Sequence, residues 1–214
     1  MTGLREQQKA ATREAILDAA ARAFADHGFE GTTFSTIAAE MGRPKSAVGH
    51  HQFATKAKIA AAVVAEQLED WGRIVRDAEF APAGLVRLLT IMTVAAQQVR
   101  VEARARATIR LVMEREHIKP ELPLNGSFTW SELAEGEIGR AVADGVLPAG
   151  TDPAEVGRRL ISASFGVYAL ENSGFQAVDT VRNLQVIWLD MLRALGARDP
   201  EFILDEAARA AKHF

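Results

Sequence analysis

The chain has no cysteine and one tyrosine, and aromatic residues make up only 7% of its 214 positions. Without thiols, disulfides and thiolate metal centres are excluded. Scarce aromatics argue against strand-rich architecture. No apolar run reaches the roughly 20 residues that a membrane-crossing helix needs. The first residues are polar and charged, unlike the apolar core of a secretory signal, so a soluble, cytoplasmic protein is the expectation. No glycine-flanked nucleophile, phosphate-binding loop or zinc motif occurs, so no catalytic residue, cofactor or enzyme activity is expected.

Hydrophobic residues are 48% of the chain, dominated by Ala and Leu, enough to bury a real core and favouring an all-α fold. The net charge of -3 excludes a general polyanion-coating protein, but it is unevenly spread. Residues 1–60 carry eight Lys and Arg against six Asp and Glu, and the remainder carries seventeen against twenty-two. A slightly basic head on an acidic body suits DNA contact by one face.

Periodicity predicts a first helix over Gln8–His27, with Ile16, Leu17, Ala20, Ala23 and Phe24 inward and Gly28 as its stop. The stretch from Thr32 to Phe53 reads as a short helix, a tight turn and a second short helix. Thr33 is placed to cap the first of these, and Phe34, Ile37, Ala38 and Met41 form its apolar face. Gly42 ends it and Pro44 suits the first turn of the next. That second helix has only Ala47, Val48 and Phe53 to hold it inward, leaving an outer face of small and polar residues. Helix-turn-helix proteins lay such a helix in the DNA major groove. Any small helical hairpin shows a similar cap, stop and start, so the reading draws on its context.

A fourth helix is predicted from Lys56 to about Phe80, with Ile59, Val63, Trp71, Ile74 and Val75 inward. Two helices follow between Leu85 and His117, then a loop over Lys119–Ser127 and a helix to Asp144. Asp152-Pro153 starts a helix that stops near Ser173, Val178–Leu195 forms another, and Pro200 opens the last. Arg100, Arg104, Arg106, Arg110 and Arg115, interleaved with Glu102 and Glu114, read as a salt-bridged solvated face rather than a second nucleic-acid surface. His50 and His51 project about a quarter-turn apart and lack a third ligand, so no metal site is expected.

Thr12-Arg13, Ile16-Leu17, Phe24, Gly28-Phe29, Thr32-Thr33, Ile37-Ala38, Gly42, His51, Phe53 and Lys56 resemble, in order and nearly in spacing, the head of the TetR family of bacterial transcriptional repressors. The resemblance implies a three-helix helix-turn-helix DNA-binding domain over 1–55 and a larger helical ligand-binding and dimerisation domain over 56–214. It places Thr33, Lys45, Ser46, His50, His51 and Lys56 at the DNA surface, with Arg43 beside them. Two departures stand out: Arg43-Pro44 follows the glycine, and the stretch Val48–Phe53 is one residue longer than the family's ending and lacks its tyrosine.

The body resembles the γ-butyrolactone receptors through Trp130, Gly145-Val146-Leu147, Asp152–Val156, Ser162–Val167 and Trp188. That resemblance implies that Trp130 lines an effector pocket and that Ser164 is a polar partner for a lactone. By residue type alone Trp130 suits core as well as pocket, as do Phe165, Met92 and Met113, which complete the candidate ligand-binding set. The function implied is a repressor that binds an inverted-repeat operator in double-stranded DNA as a homodimer and is released by a small, largely apolar effector such as a γ-butyrolactone. The alternatives are a regulator of another hydrophobic compound, such as an antibiotic, or an enzyme or non-DNA-binding module on the same fold. The segments Ser162–Ser173 and Val181–Leu192 are expected to pair across the dimer axis.

Overall fold

The computed structural model describes all residues except 1, 45–47, 49–52, 119–120, 123–127 and 173–178. Among the described residues there are nine α-helices and no strand. In chain order they are α1 (Thr2–Gly31), α2 (Phe34–Glu40), α3 (Lys56–Asp77), α4 (Leu85–Val101), α5 (Ala103–Met113), α6 (Trp130–Ala143), α7 (Pro153–Asn172), α8 (Thr180–Ala194) and α9 (Pro200–Ala210). They fall into two compact units, 1–68 with 101–124 and 69–100 with 125–214. This grouping does not follow the sequence boundary at residue 55, because 56–68 and the whole of α5 join the N-terminal unit.

In the first unit the predicted stripe of α1 is buried: Ile16, Leu17, Ala20, Ala23 and Phe24 are all fully enclosed. They share one core with Ile37 of α2, with Val48, with Ile59, Ala60, Val63 and Val64 of α3, and with Ala107 and Leu111 of α5. The first helix starts six residues earlier than expected and is bent, not stopped, at Gly28, whose φ of 69° and ψ of -175° lie outside the helical region. Only a residue without a Cβ adopts that backbone readily.

The arginine-rich segment is salt-bridged as expected and exposed at Arg100 and Arg115, but it is not solvated throughout. Arg104 lies largely buried and reaches α1 at Glu14 and Asp18 (both 2.6 Å) and α3 at Glu66 (3.0 Å). Burial pulls its pKa down, but the hydrogen bonds to Glu14 and Asp18 outweigh that and hold it above the usual guanidinium value. The reason lies in packing. α5 runs against α1, so arginines on that side face carboxylates of another helix instead of water. Arg104→Ala strips three carboxylates of their common cation. Thermal unfolding is expected to show a loss of about 1–3 kcal/mol; an unchanged midpoint would mean the exposed carboxylates hold no net stability there.

The second unit is built around α4, which is buried from Leu85 through Ala96 except at Val86 and Arg87. A helix enclosed on nearly every side is a central one. α6 packs on α7, α7 on α8 and α8 on α9. Asp152 caps α7 as predicted, its Oδ1 accepting from the amides of Ala154 (3.0 Å) and Glu155 (3.1 Å). In α6 the buried residues are Ala134, Glu137, Ile138 and Ala141. Glu137 is the charged member of that set. Its buried carboxylate accepts from the Gly84 amide (2.6 Å) at the start of α4 and pairs with Arg140 and with Arg87 (3.6 Å).

Candidate nucleic-acid interface and ligand-side residues

The helix-turn-helix begins at Thr33, whose Oγ1 accepts from the Thr36 amide (3.1 Å) while Thr36 Oγ1 accepts from the Thr33 amide (2.7 Å). This reciprocal cap satisfies two donors that the first turn of α2 leaves open. Ile37 and Ala38 point into the core, and Gly42 takes the left-handed backbone, φ 62°, that turns the chain away. The exposed Arg43 follows directly, its amide donating to the Ala38 carbonyl (3.0 Å). Val48 and Phe53 are buried, as the apolar positions of this stretch were expected to be. Lys45, Ser46, His50 and His51, with Ala47, lie outside the described residues.

Lys56 has a structural task that sequence reading did not foresee. Its Nζ donates to the carbonyls of Phe29 (2.6 Å) and Thr32 (2.9 Å) and sits 4.1 Å from the centre of the Phe29 ring. A helix C-terminus presents unpaired carbonyls, and an ammonium is a natural partner for them. Two of its three protons are therefore used within the head, and one is left for a phosphate.

The ligand-side candidates divide between the two units. Met92, Trp130, Ser164 and Phe165 belong to the second, whereas Met113 is half-buried at the end of α5 in the first. Trp130 is partly exposed and meets both Trp71 (5.3 Å between ring centres) and Phe128 (5.2 Å) edge-on. Trp71 beneath it is buried, its indole N–H donating to Gln98 Oε1 (2.9 Å). Ser164 is already engaged: its hydroxyl donates to the Leu160 carbonyl (2.9 Å) and accepts from the Trp188 indole (3.1 Å). A single lone pair remains for any ligand. Phe165 meets Tyr168 edge-on at 6.4 Å, and burial, assisted by Glu171, pushes the Tyr168 phenol well above its ordinary pKa, keeping it neutral. Met92 is buried in α4.

Gln67 was missed. It is fully enclosed in α3, yet neither amide atom has a hydrogen-bond partner among the described residues, and the Thr93 and Thr108 hydroxyls are alike. Buried polar groups are nearly always paired, by protein, water or ligand. The signal was present in the sequence, because Gln67 lies four residues after Val63 and four before Trp71, a polar residue on an apolar stripe. Among the described residues no cluster of His, Asp and Glu is able to hold a metal ion, and no helix is long and apolar enough to cross a membrane.

A capped short helix and a left-handed glycine turn, followed by the buried Val48 and Phe53 in an otherwise helical chain, have the form of a helix-turn-helix head. Residues 16–63 match the family described as bacterial regulatory proteins, tetR family. No curated protein matches it. Among solved structures, a γ-butyrolactone receptor (ArpA-like protein) shares 25% identity at a TM-score of 0.78, covering 97% of this chain and 100% of that one. CprB from Streptomyces coelicolor in complex with its operator sequence shares 25% identity at a TM-score of 0.75, with the same coverage. A third, described as the molecular basis for control of antibiotic production by bacterial hormones, shares 29% identity at a TM-score of 0.69, covering 87% and 96%.

Proposed function

We propose that the protein is a ligand-responsive transcriptional repressor that binds an inverted-repeat operator as a homodimer and leaves it when a small, largely apolar effector of the γ-butyrolactone class binds. The observation that carries the reading is the head, in which a capped α2 and the glycine turn precede the buried Val48 and Phe53. Its likeness to an operator-bound regulator and to a γ-butyrolactone receptor supports both halves. Functionally, residues 1–55 read DNA through Thr33, Arg43, Lys45, Ser46, His50, His51 and Lys56, and residues 56–214 bind effector and dimerise. Val186, half-exposed on α8, and the exposed Gly166 on α7 supply apolar and small surface for the dimer face.

DNA contact gives a quantitative expectation at Lys45. Lys45→Ala, by removing one phosphate contact, should flatten the slope of log affinity against log salt by about 0.9. Gel-shift titrations over a salt series measure it, and an unchanged slope removes Lys45 from the interface.

The effector side is tested with a synthetic γ-butyrolactone carrying an alkyl or acyl chain. Added to protein bound to a selected duplex, it is expected to release the DNA and to change the tryptophan emission, since Trp130 is partly exposed beside Trp71. Trp130→Ala should retain duplex binding and lose the release. Equal release of wild type and variant would make Trp130 mere packing. No release by any lactone, with release by another apolar compound, would favour the second ligand class.

A further inference from the structure

We propose that Arg110 and Glu114 are positioning residues for DNA binding, acting as a staple inserted into the broken backbone of α1. The inference rests on the DNA-binding reading of the head, and its first test is independent of DNA. In a continuous α-helix the Phe29 amide would donate to the carbonyl four residues back, Ala25. With Gly28 outside the helical region, Phe29 N–H donates instead to Glu114 Oε2 (2.6 Å), and the Ala25 carbonyl accepts from Arg110 Nη1 (3.0 Å). The two side chains are themselves joined, Arg110 Nε to Glu114 Oε1 at 3.1 Å. Each half of the missing helical bond is thus taken by one member of an ion pair on another helix.

The approach is close. A Cβ built on Gly28 would stand 2.5 Å from Glu114 Oε1 and 2.9 Å from Arg110 Nε, so any side chain there would have to push both charged ends aside. Other side chains fix the rest of the bend: Thr32 Oγ1 donates to the Gly28 carbonyl (2.7 Å) and Lys56 holds those of Phe29 and Thr32. α2 begins immediately afterwards, at Phe34 behind its Thr33 cap. α5 is also fastened at its start, where Arg104 binds Glu14 and Asp18 of the same α1. Any movement of α5 along α1 therefore pulls directly on the Phe29 amide and on the turn that aims the helix-turn-helix.

The test separates this role from an ordinary ion pair on a helix surface. Exchanging the two residues, Arg110→Glu with Glu114→Arg, keeps an i,i+4 pair but leaves nothing to accept from Phe29 N–H or to donate to Ala25, since arginine only donates and glutamate only accepts. Hydrogen exchange at the Phe29 amide, followed by NMR, is expected to speed up about tenfold or more in the exchanged variant. Affinity for a duplex selected with wild-type protein should fall about 5–150-fold, the range of a typical coupling between sites. Glu114→Gln, which retains an acceptor oxygen, should preserve much of the protection that Glu114→Ala loses. Wild-type exchange and affinity in the exchanged variant would overturn the proposal. If that variant does not fold, equal Phe29 exchange in Glu114→Gln and Glu114→Ala overturns it instead, and unequal exchange supports it. Should wild-type protein select no duplex, the exchange measurements still decide the staple, while the operator reading falls.

Discussion

Gly28→Ala is expected to destabilise the N-terminal unit by roughly 2–6 kcal/mol and to weaken DNA binding with it. Two costs combine. The backbone at φ 69°, ψ -175° is one that residues with a Cβ adopt only with strain of about 1–3 kcal/mol. The new methyl group would also displace the Glu114 carboxylate and the Arg110 guanidinium from its path. Both side chains are flexible enough to move, but moving releases the Phe29 amide and the Ala25 carbonyl from charged partners that are worth about 1–3 kcal/mol when buried groups are left unpaired. Chemical denaturation of wild type and variant measures the sum. A variant as stable as wild type would mean that α1 straightens at no cost, and that the bend is incidental.

Gln67→Leu is expected to stabilise the ligand-free protein. The native amide is fully buried without a partner among the described residues, so replacing it with an apolar group of similar size removes a desolvation cost. A gain of about 1–3 kcal/mol in ligand-free protein follows. Thermal unfolding of wild type and variant measures the change. Destabilisation would show that the amide serves the fold after all.

Much of the fold was legible because it rests on local rules. Thr33, Asp152 and Gly42 act where cap and turn chemistry put them, and the apolar stripe of α1 is buried as its spacing requires. What escaped was set by partners distant in sequence. Arg104 and Arg110 carry the marks of a solvated helix face until α1 is laid beside them, 86 and 85 residues away at Asp18 and Ala25. Gly28 has the local signature of a helix stop, and only the staple from α5 lets the helix resume after it. Glu137 is buried for the same reason, held by the Gly84 amide 53 residues earlier. On the ligand side, Trp130 was visible as an aromatic on a helix, but Ser164 gave no hint that Leu160 and Trp188 already claim its hydroxyl.

The central claim, a dimeric operator-binding regulator, is tested most directly by incubating the protein with a pool of random double-stranded DNA and sequencing what it retains. The account predicts enrichment of one inverted repeat, with half-sites about one helical turn, or about 34–36 Å, apart. A folded, helical protein that enriches no sequence, or only a lone half-site, would contradict it.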